Sequence, residues 1–299
     1  MFVVAHRKVF YMISVVMIAL SVFAMSFWGL NLGIDFKGGS ILEVEYANGR
    51  PAQTELHDAI AKVNIGEAVI RAANDNGYII RTRTLTELER RSVIASISLP
   101  GISTPEIKRF DSVGPVLGKE LQGKAIWSII LVLIAIVLFI TFAFRHVSRP
   151  VSSWKYGVVA IIALLHDVIV PAGAFAFLGR NGGYELDALF ITALLVILGF
   201  SIHDTIVVFD RTRENLRLGS NSKKDFEQIV GESVSQTIAR SINTSLTTLL
   251  ALLALYIFGP VATKTFALAL IIGIAIGTYS SIFIGSPLLV TLQKWQKKS

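Results

Sequence analysis

Cysteine is missing altogether from this 299-residue chain. Its absence excludes a disulfide framework, thiolate catalysis and cysteine-based zinc or iron–sulfur sites, and leaves the compartment open. Charge is also scarce. Only 16% of residues are Asp, Glu, Lys or Arg, while 53% are apolar. Soluble domains carry about 25% charge, so the composition points to a membrane protein. The net charge of +7 does not indicate nucleic acid, because residues 31–122 hold 11 Lys/Arg against 12 Asp/Glu and the excess flanks the apolar runs. Neither a GxxxxGK[ST] nor a GxGxxG phosphate loop is present. No cofactor or metal is expected, and no enzymatic activity.

What is present is a set of apolar runs at roughly 9–30, 126–144, 156–178, 188–210, 239–259 and 265–292. About 20 apolar residues cross ~30 Å of hydrocarbon, so the expectation is a polytopic α-helical membrane protein with six transmembrane helices. The first run is too long for a cleavable signal and no A-x-A-like site precedes Asn31, which predicts a retained helix. Arg145, Arg149 and Lys155 lie in one connection, and Arg211, Arg213, Arg217, Lys223, Lys224 and Arg240 in another. The alternate connections offer only Arg180 and Lys264. By the positive-inside rule the basic connections, including 211–238, and both termini are cytoplasmic, and 31–122 lies on the outer side of the membrane. The three parts are then 1–30, 31–122 and 123–299.

Residues 31–122 read as an α+β domain. "SILEVEY" (40–46) alternates like a strand, and "PAQTELHDAIAKV" (51–63) has a proline start and helical spacing. "EAVIRAA" (67–73) and "YIIRTR" (78–83) flank the turn "NDNG". "LTELERRSVIASI" (85–97) is a second helix and "EIKRFDSVG" (106–114) a last strand. The order β-α-β-β-α-β is that of the ferredoxin-like unit.

The charged residues inside the runs carry the functional argument. In "LGFSIHDTIVVFDR" (198–211), Asp204 lies six residues before Asp210, or ~9 Å inside one end of the fourth helix. A lone charge at a helix centre costs about 3 kcal/mol on insertion scales, and is tolerated where it meets a partner, a water-filled cavity or a proton path. The competing possibility is an acid that reaches the interface or stays protonated as packing glue. Asp210 and Arg211 follow as interfacial charges. Arg240 opens the fifth helix at comparable depth, with Thr244 and Thr247 in one polar stripe, and antiparallel helices can bring Arg240 to Asp204. Alone, Arg240 also fits an ordinary interfacial arginine. Asp167, in "ALLHDVIVP", lies ~16 Å along the third helix, with Pro171 one turn on. It is either a second relay acid or a protonated aspartate bonding a neighbouring helix. Gly33, Asp35, Gly38 and Gly39 in "GIDFKGGS" fit a tight helix-to-strand turn. Residues 213–239 have the spacing of a surface helix lying at the interface, and Gly273 and Gly277 fit close helix packing.

"GIDFKGG" after the first helix, "ALLHDVIV" in the third, "GFSIHDTIVVFDRTREN" closing the fourth and "SINTSLTTLLALLALYIFG" as the fifth, in that order, resemble the SecF family. Its members are the smaller subunits of the SecD–SecF export complex within the RND superfamily. The resemblance spans essentially the whole chain. It implies a proton-driven subunit that, with SecD, promotes late steps of preprotein translocation across the inner membrane. The implied partners are SecD, the SecYEG translocon, SecA and YajC, the unfolded preprotein and membrane lipids. The family's proton relay falls on Asp204 and Arg240. Where the family often has asparagine before that acid, this chain has His203, either a further titrating group or a different hydrogen-bond partner.

Three rivals remain. An intramembrane aspartyl protease using Asp167 and Asp204 lacks the GxGD signature. A half-exporter for small molecules or lipids would need an external domain lining a channel. A passive assembly subunit would tolerate neutral residues at 204 and 240.

Overall fold

The computed structural model describes residues 2–47, 49–98, 104–145, 152–218 and 224–298. The chain divides into two units, Leu32–Ile126 and the helical remainder, Met1–Asn31 with Trp127–Ser299.

In the first unit a short turn, α3 (Ile34–Lys37), leads into β1 (Gly39–Glu45). Then come α4 (Gln53–Ala61), β2 (Val69–Ala73), β3 (Gly77–Thr82), α5 (Glu87–Ser96) and β4 (Glu106–Val113). The sheet order is β2-β3-β1-β4 and every pair is antiparallel, which is the ferredoxin-like arrangement. Period-2 alternation sets the faces. Leu42, Val44, Ile70, Tyr78 and Ile80 point to the helices, where Leu56, Ile60, Val93 and Ile97 meet them. Each such buried side chain stabilises the domain by about 1.5–3 kcal/mol. Two buried tyrosines keep their hydroxyls bonded: Tyr46 donates to the Ile97 carbonyl at 3.1 Å and Tyr78 to that of Pro51 at 2.7 Å. Burial pushes the Tyr46 phenol up to about 12.

Helix α5 starts at a Thr86–Glu89 capping box. Its exposed acids are held by arginines: Arg90 donates twice to Glu87, at 2.6 and 2.8 Å, Arg91 adds a third bond, and Arg83 pairs with Glu89. These partners lower both carboxylates, through Arg90 then Arg91 for Glu87 and through Arg83 then Thr86 for Glu89, each to about 2 from the ordinary 4.5. A lowered folded-state value contributes stability that is fully present above 4.5 and is lost as pH falls through about 2. The domain's melting temperature in the solubilised chain is therefore expected to stay flat down to about pH 5 and to fall below that. Replacing Glu87 and Glu89 with glutamine makes the fall shallower; an unchanged acid limb would contradict the assignment.

The second unit holds α1 (Phe2–Ala5) and six helices long and apolar enough to cross a membrane. These spans are α2 (Arg7–Trp28), α6 (Pro115–Ala143), which begins in the domain, α7 (Ser153–Gly182), α8 (Ala188–Leu218), α9 (Phe226–Phe258) and a composite sixth. The last comprises α10 (Val261–Ser280), a π-helical turn (Ser281–Gly285) and α11 (Ser286–Lys298). Small residues bring the helices together. A Cβ at Gly173 of α7 would fall on Ser21 of α2, one at Gly273 of α10 on Ile197 of α8, and one at Gly277 would reach Ser201 at 3.0 Å.

The 213–239 segment differs from the sequence expectation. No separate helix lies along the membrane surface among the described residues. Instead α8 and α9 simply continue: 31 and 33 residues measure about 46 and 50 Å, against ~30 Å of hydrocarbon. Phe226, Val230 and Val234 are buried in one cluster with Val3, Val4, Phe209, Leu289 and Val290. An amphipathic stripe can be covered by lipid or by protein, and here the two chain ends cover it. Glu227 then accepts from Arg7 at 2.5 Å and pairs with Lys294, tying both ends to the start of α9. Residues 219–223, as well as Arg149, lie outside the described residues.

Candidate functional site

Helix α8 turns Ser201, Asp204, Thr205, Val208 and Thr212 toward the bundle interior. Asp204 is 5% exposed. Its Oδ1 accepts from Ser241 Oγ of α9 at 2.9 Å, while Oδ2 is buried with no hydrogen-bond partner among the described residues. A hydroxyl ladder continues from there, since Ser245 donates to the Ser241 carbonyl at 2.9 Å and meets Thr278 of α10 at 2.6 Å.

A second acid is set deeper. Asp167 of α7 is fully buried, and three groups converge on it: His166 Nδ1 at 3.0 Å on Oδ1, with Ser201 at 2.5 Å and Ser280 at 2.7 Å both donating to Oδ2. Pro171 has no N–H to give the Asp167 carbonyl four residues earlier, which loosens α7 at this level. The π-helical turn adjoins the cluster. Ser281 donates to the Ser201 carbonyl at 3.0 Å and accepts from Thr205 at 2.9 Å. Two buried carboxylates thus join α7, α8, α9 and the sixth span through serine hydroxyls, with His166 of α7 as a further contact on Asp167.

The other expected residues are placed differently. Arg240 is exposed, as are Thr244 and Thr247, and Arg240 makes no ion pair with Asp204 among the described residues. One residue is a rotation of about 100° on a helix, so Ser241 faces Asp204 and Ser245, one turn on, faces Thr278, while the arginine's stripe is exposed. His203 is exposed on α8. Asp210 and Arg211 are at the surface, where Asp210 lies 3.9 Å from Arg213 and Arg211 bonds Gln236 and Glu214 at 2.6 Å each. Sequence reasoning missed Ser201, Ser241, Ser245, Thr278, Ser280 and Ser281. The available signal was the hydroxyl run Thr278-Tyr279-Ser280-Ser281 inside an otherwise apolar span.

The glycine pair has a steric role. Gly38 and Gly39 take φ of +81° and +132°, and a Cβ at Gly39 would lie 2.8 Å from the Thr82 carbonyl oxygen. Gly33 has φ −73°, open to any residue, and Asp35 lies in the first turn of α3. Gly39→Ala is expected to destabilise the domain by about 1–3 kcal/mol, read as a lowered melting temperature, with Gly33→Ala well below that.

Two family models match this chain: the protein export membrane protein SecD/SecF C-terminal model over residues 97–295, and the SecD/SecF GG motif over 23–49. The SecF protein translocase subunit of Thermobaculum terrenum is 43% identical over 99% of this chain and 94% of its own length. That of Anaerolinea thermophila is 41% identical over 96% and 92%. This chain belongs to the SecF family. It is accordingly a multi-pass membrane subunit of the Sec protein-export system. The SecF match over 97–295 includes Asp167, Asp204 and Arg240, and the GG motif includes Gly33, Asp35, Gly38 and Gly39. Among solved structures, the crystal structure of SecDF, a translocon-associated membrane protein from Thermus thermophilus, has a TM-score of 0.81 at 31% identity. It covers 98% of this chain, which spans 38% of the SecDF chain. SecDF in its super-membrane-facing form matches at a TM-score of 0.66 over 95% of the chain.

Proposed function

We propose that this chain is one half of a proton-driven export motor, pairing with a SecD-type half and acting beside SecYEG, SecA and YajC on preproteins. It moves polypeptide and carries out no covalent chemistry. The observation that carries the reading is Asp204, a carboxylate inside a span with one donor, Ser241, and one buried oxygen without a partner. Such a group costs several kcal/mol unless it works with a partner or a proton path.

The outward stripe Arg240, Asn243, Thr244 and Thr247 on α9 supports pairing with a second half. An arginine facing lipid within a span carries an insertion cost even where its side chain reaches toward the interface, and a polar partner face removes that cost. Rotating α9 by one residue, about 100°, exchanges Ser241 for Arg240 at Asp204. One state then suits the neutral acid and the other its anion, with His203 and Asp167 as further relay groups. The basic 211–238 connection and both termini are cytoplasmic and 31–122 is periplasmic, following the positive-inside rule in a bacterial inner membrane. The spans α2 and α6 lead into that domain, so their shifts move it.

One proton crossing is worth about 2.3 kcal/mol per 100 mV. The test compares precursor translocation into inverted inner-membrane vesicles with the gradient intact and collapsed. The gradient-dependent increment disappears when this chain is deleted; an increment that survives deletion overturns the proposal.

A further inference from the structure

His166 is 1% exposed, its Nδ1 is spent on Asp167, and its Nε2 is buried with no partner among the described residues. A buried, unbonded ring nitrogen costs about 1–3 kcal/mol and calls for a use. Three groups already converge on Asp167, so protonating it must alter the hydroxyls around it. One of them, Ser280, has a second acceptor ready: its Oγ lies 3.1 Å from the Gly277 carbonyl of its own helix. Ser280 directly precedes the π-helical turn, and such turns are frequent at functional sites.

We propose that His166 and Asp167 form a second proton-accepting site, separate from Asp204, whose occupancy sets the Ser280 hydroxyl and through it the π-helical turn of the sixth span. The inference rests on the proton-driven reading above. A proton binds the Nε2 lone pair while Nδ1 gives its hydrogen to Asp167 Oδ1. The imidazole ends neutral in the other tautomer, and the pair goes from charge −1 to 0. Hydrogen bonds to an ionised acceptor are roughly twice as strong as neutral ones, so Ser201 and Ser280 are then held less firmly. Ser280 turns to Gly277, and Ser281, which bridges to the Ser201 carbonyl and to Thr205, is left to hold the turn without its neighbour. His166 is thus a proton carrier for Asp167, and Ser280 a positioning residue.

Away from their charged ends, the elements packed around the pair carry few titratable groups. On α2, Tyr11 is bonded to Thr291. On the sixth span, Tyr279 lies with its ring 6.0 Å from that of His166 and its hydroxyl on the Phe10 carbonyl and Ser14. On α8, Asp204 is bonded to Ser241 and His203 is exposed. Asp167 has no lysine or arginine ion pair among the described residues.

The test uses the full chain with its partner half in lipid vesicles, across a pH titration. Nitrogen-15 NMR of the histidines reads the His166 tautomer, assigned by the signal lost in His166→Asn. Hydrogen exchange reads the amides of 281–286. In the wild type, lowering pH converts the Nδ1–H tautomer to Nε2–H, and exchange over 281–286 changes about tenfold. The exchange response falls below about twofold in Asp167→Asn and, as a milder variant of the same step, in Ser280→Ala. Asparagine at 166 keeps a donor near the Nδ1 position and cannot titrate, so it loses the response. A response retained in His166→Asn or in Ser280→Ala, or absent from the wild type, overturns the proposal. Neither readout needs export. The tautomer switch is expected to persist in Asp204→Asn, so a failure of proton-driven export appears in translocation assays and leaves these signals in place.

Discussion

Replacing Asp204 with asparagine leaves the protein assembled and removes the gradient-dependent share of precursor export. Asparagine has the shape of aspartate and keeps an oxygen for the Ser241 hydroxyl, which donates to Asp204 at 2.9 Å. Its amide occupies the position of Oδ2, the oxygen with no partner, without a charge to bury. Packing in the bundle is therefore preserved, and the amount of protein in the membrane stays near wild type. The amide cannot exchange a proton at any accessible pH. The bias of about 2.3 kcal/mol per 100 mV for each proton, roughly 50-fold in a two-state equilibrium, then has nowhere to act. Translocation in inverted vesicles with and without an uncoupler measures it. Export that still responds to the uncoupler in this variant would remove Asp204 from the mechanism.

Gly173→Val is expected to be nearly as damaging for a different reason. A side chain at 173 would fall on Ser21, its Cα included, so relief needs movement of the α2 backbone and not of a flexible tip. Overpacking of this kind costs typically 1–3 kcal/mol, occasionally more, and here it separates the first span from the third. The expected result is loss of the mature protein from membranes, followed by immunoblot and by thermal aggregation in detergent. Ser21→Gly removes two of the three clashing atoms and restores part of the level. A Gly173→Val chain as abundant and heat-resistant as wild type would show that α2 does not seat on α7 in this way.

The architecture was legible in the residues because it depends on long windows. Twenty apolar residues make a span whatever their order, and the alternation in "SILEVEY" commits β1 to one half-buried face. Azimuth was not legible. Arg240 and Ser241 are adjacent, and only the packing of α9 on α8 decides which meets Asp204. The 213–239 pattern was read correctly as helical and wrongly as lipid-facing, because its cover comes from Val3, Val4, Leu289 and Val290, at the far ends of the chain. The cluster around Asp167 was half visible: the acid stands out against an apolar helix, whereas Ser201, Ser280 and Ser281 look like the small residues of any helix contact. The π-helical turn follows from tertiary bonds and leaves no local mark.

Glu227 grips Arg7 and Lys294 at once, joining positions 220 and 67 residues away along the chain. Insertion proceeds from the N-terminus, so the first span waits in the bilayer for three more before its acid arrives at the start of the fifth, and the grip closes only after the last helix emerges. The tie works as an end-of-synthesis seal. A chain truncated short of Lys294 keeps all six apolar stretches and lacks the closing contact.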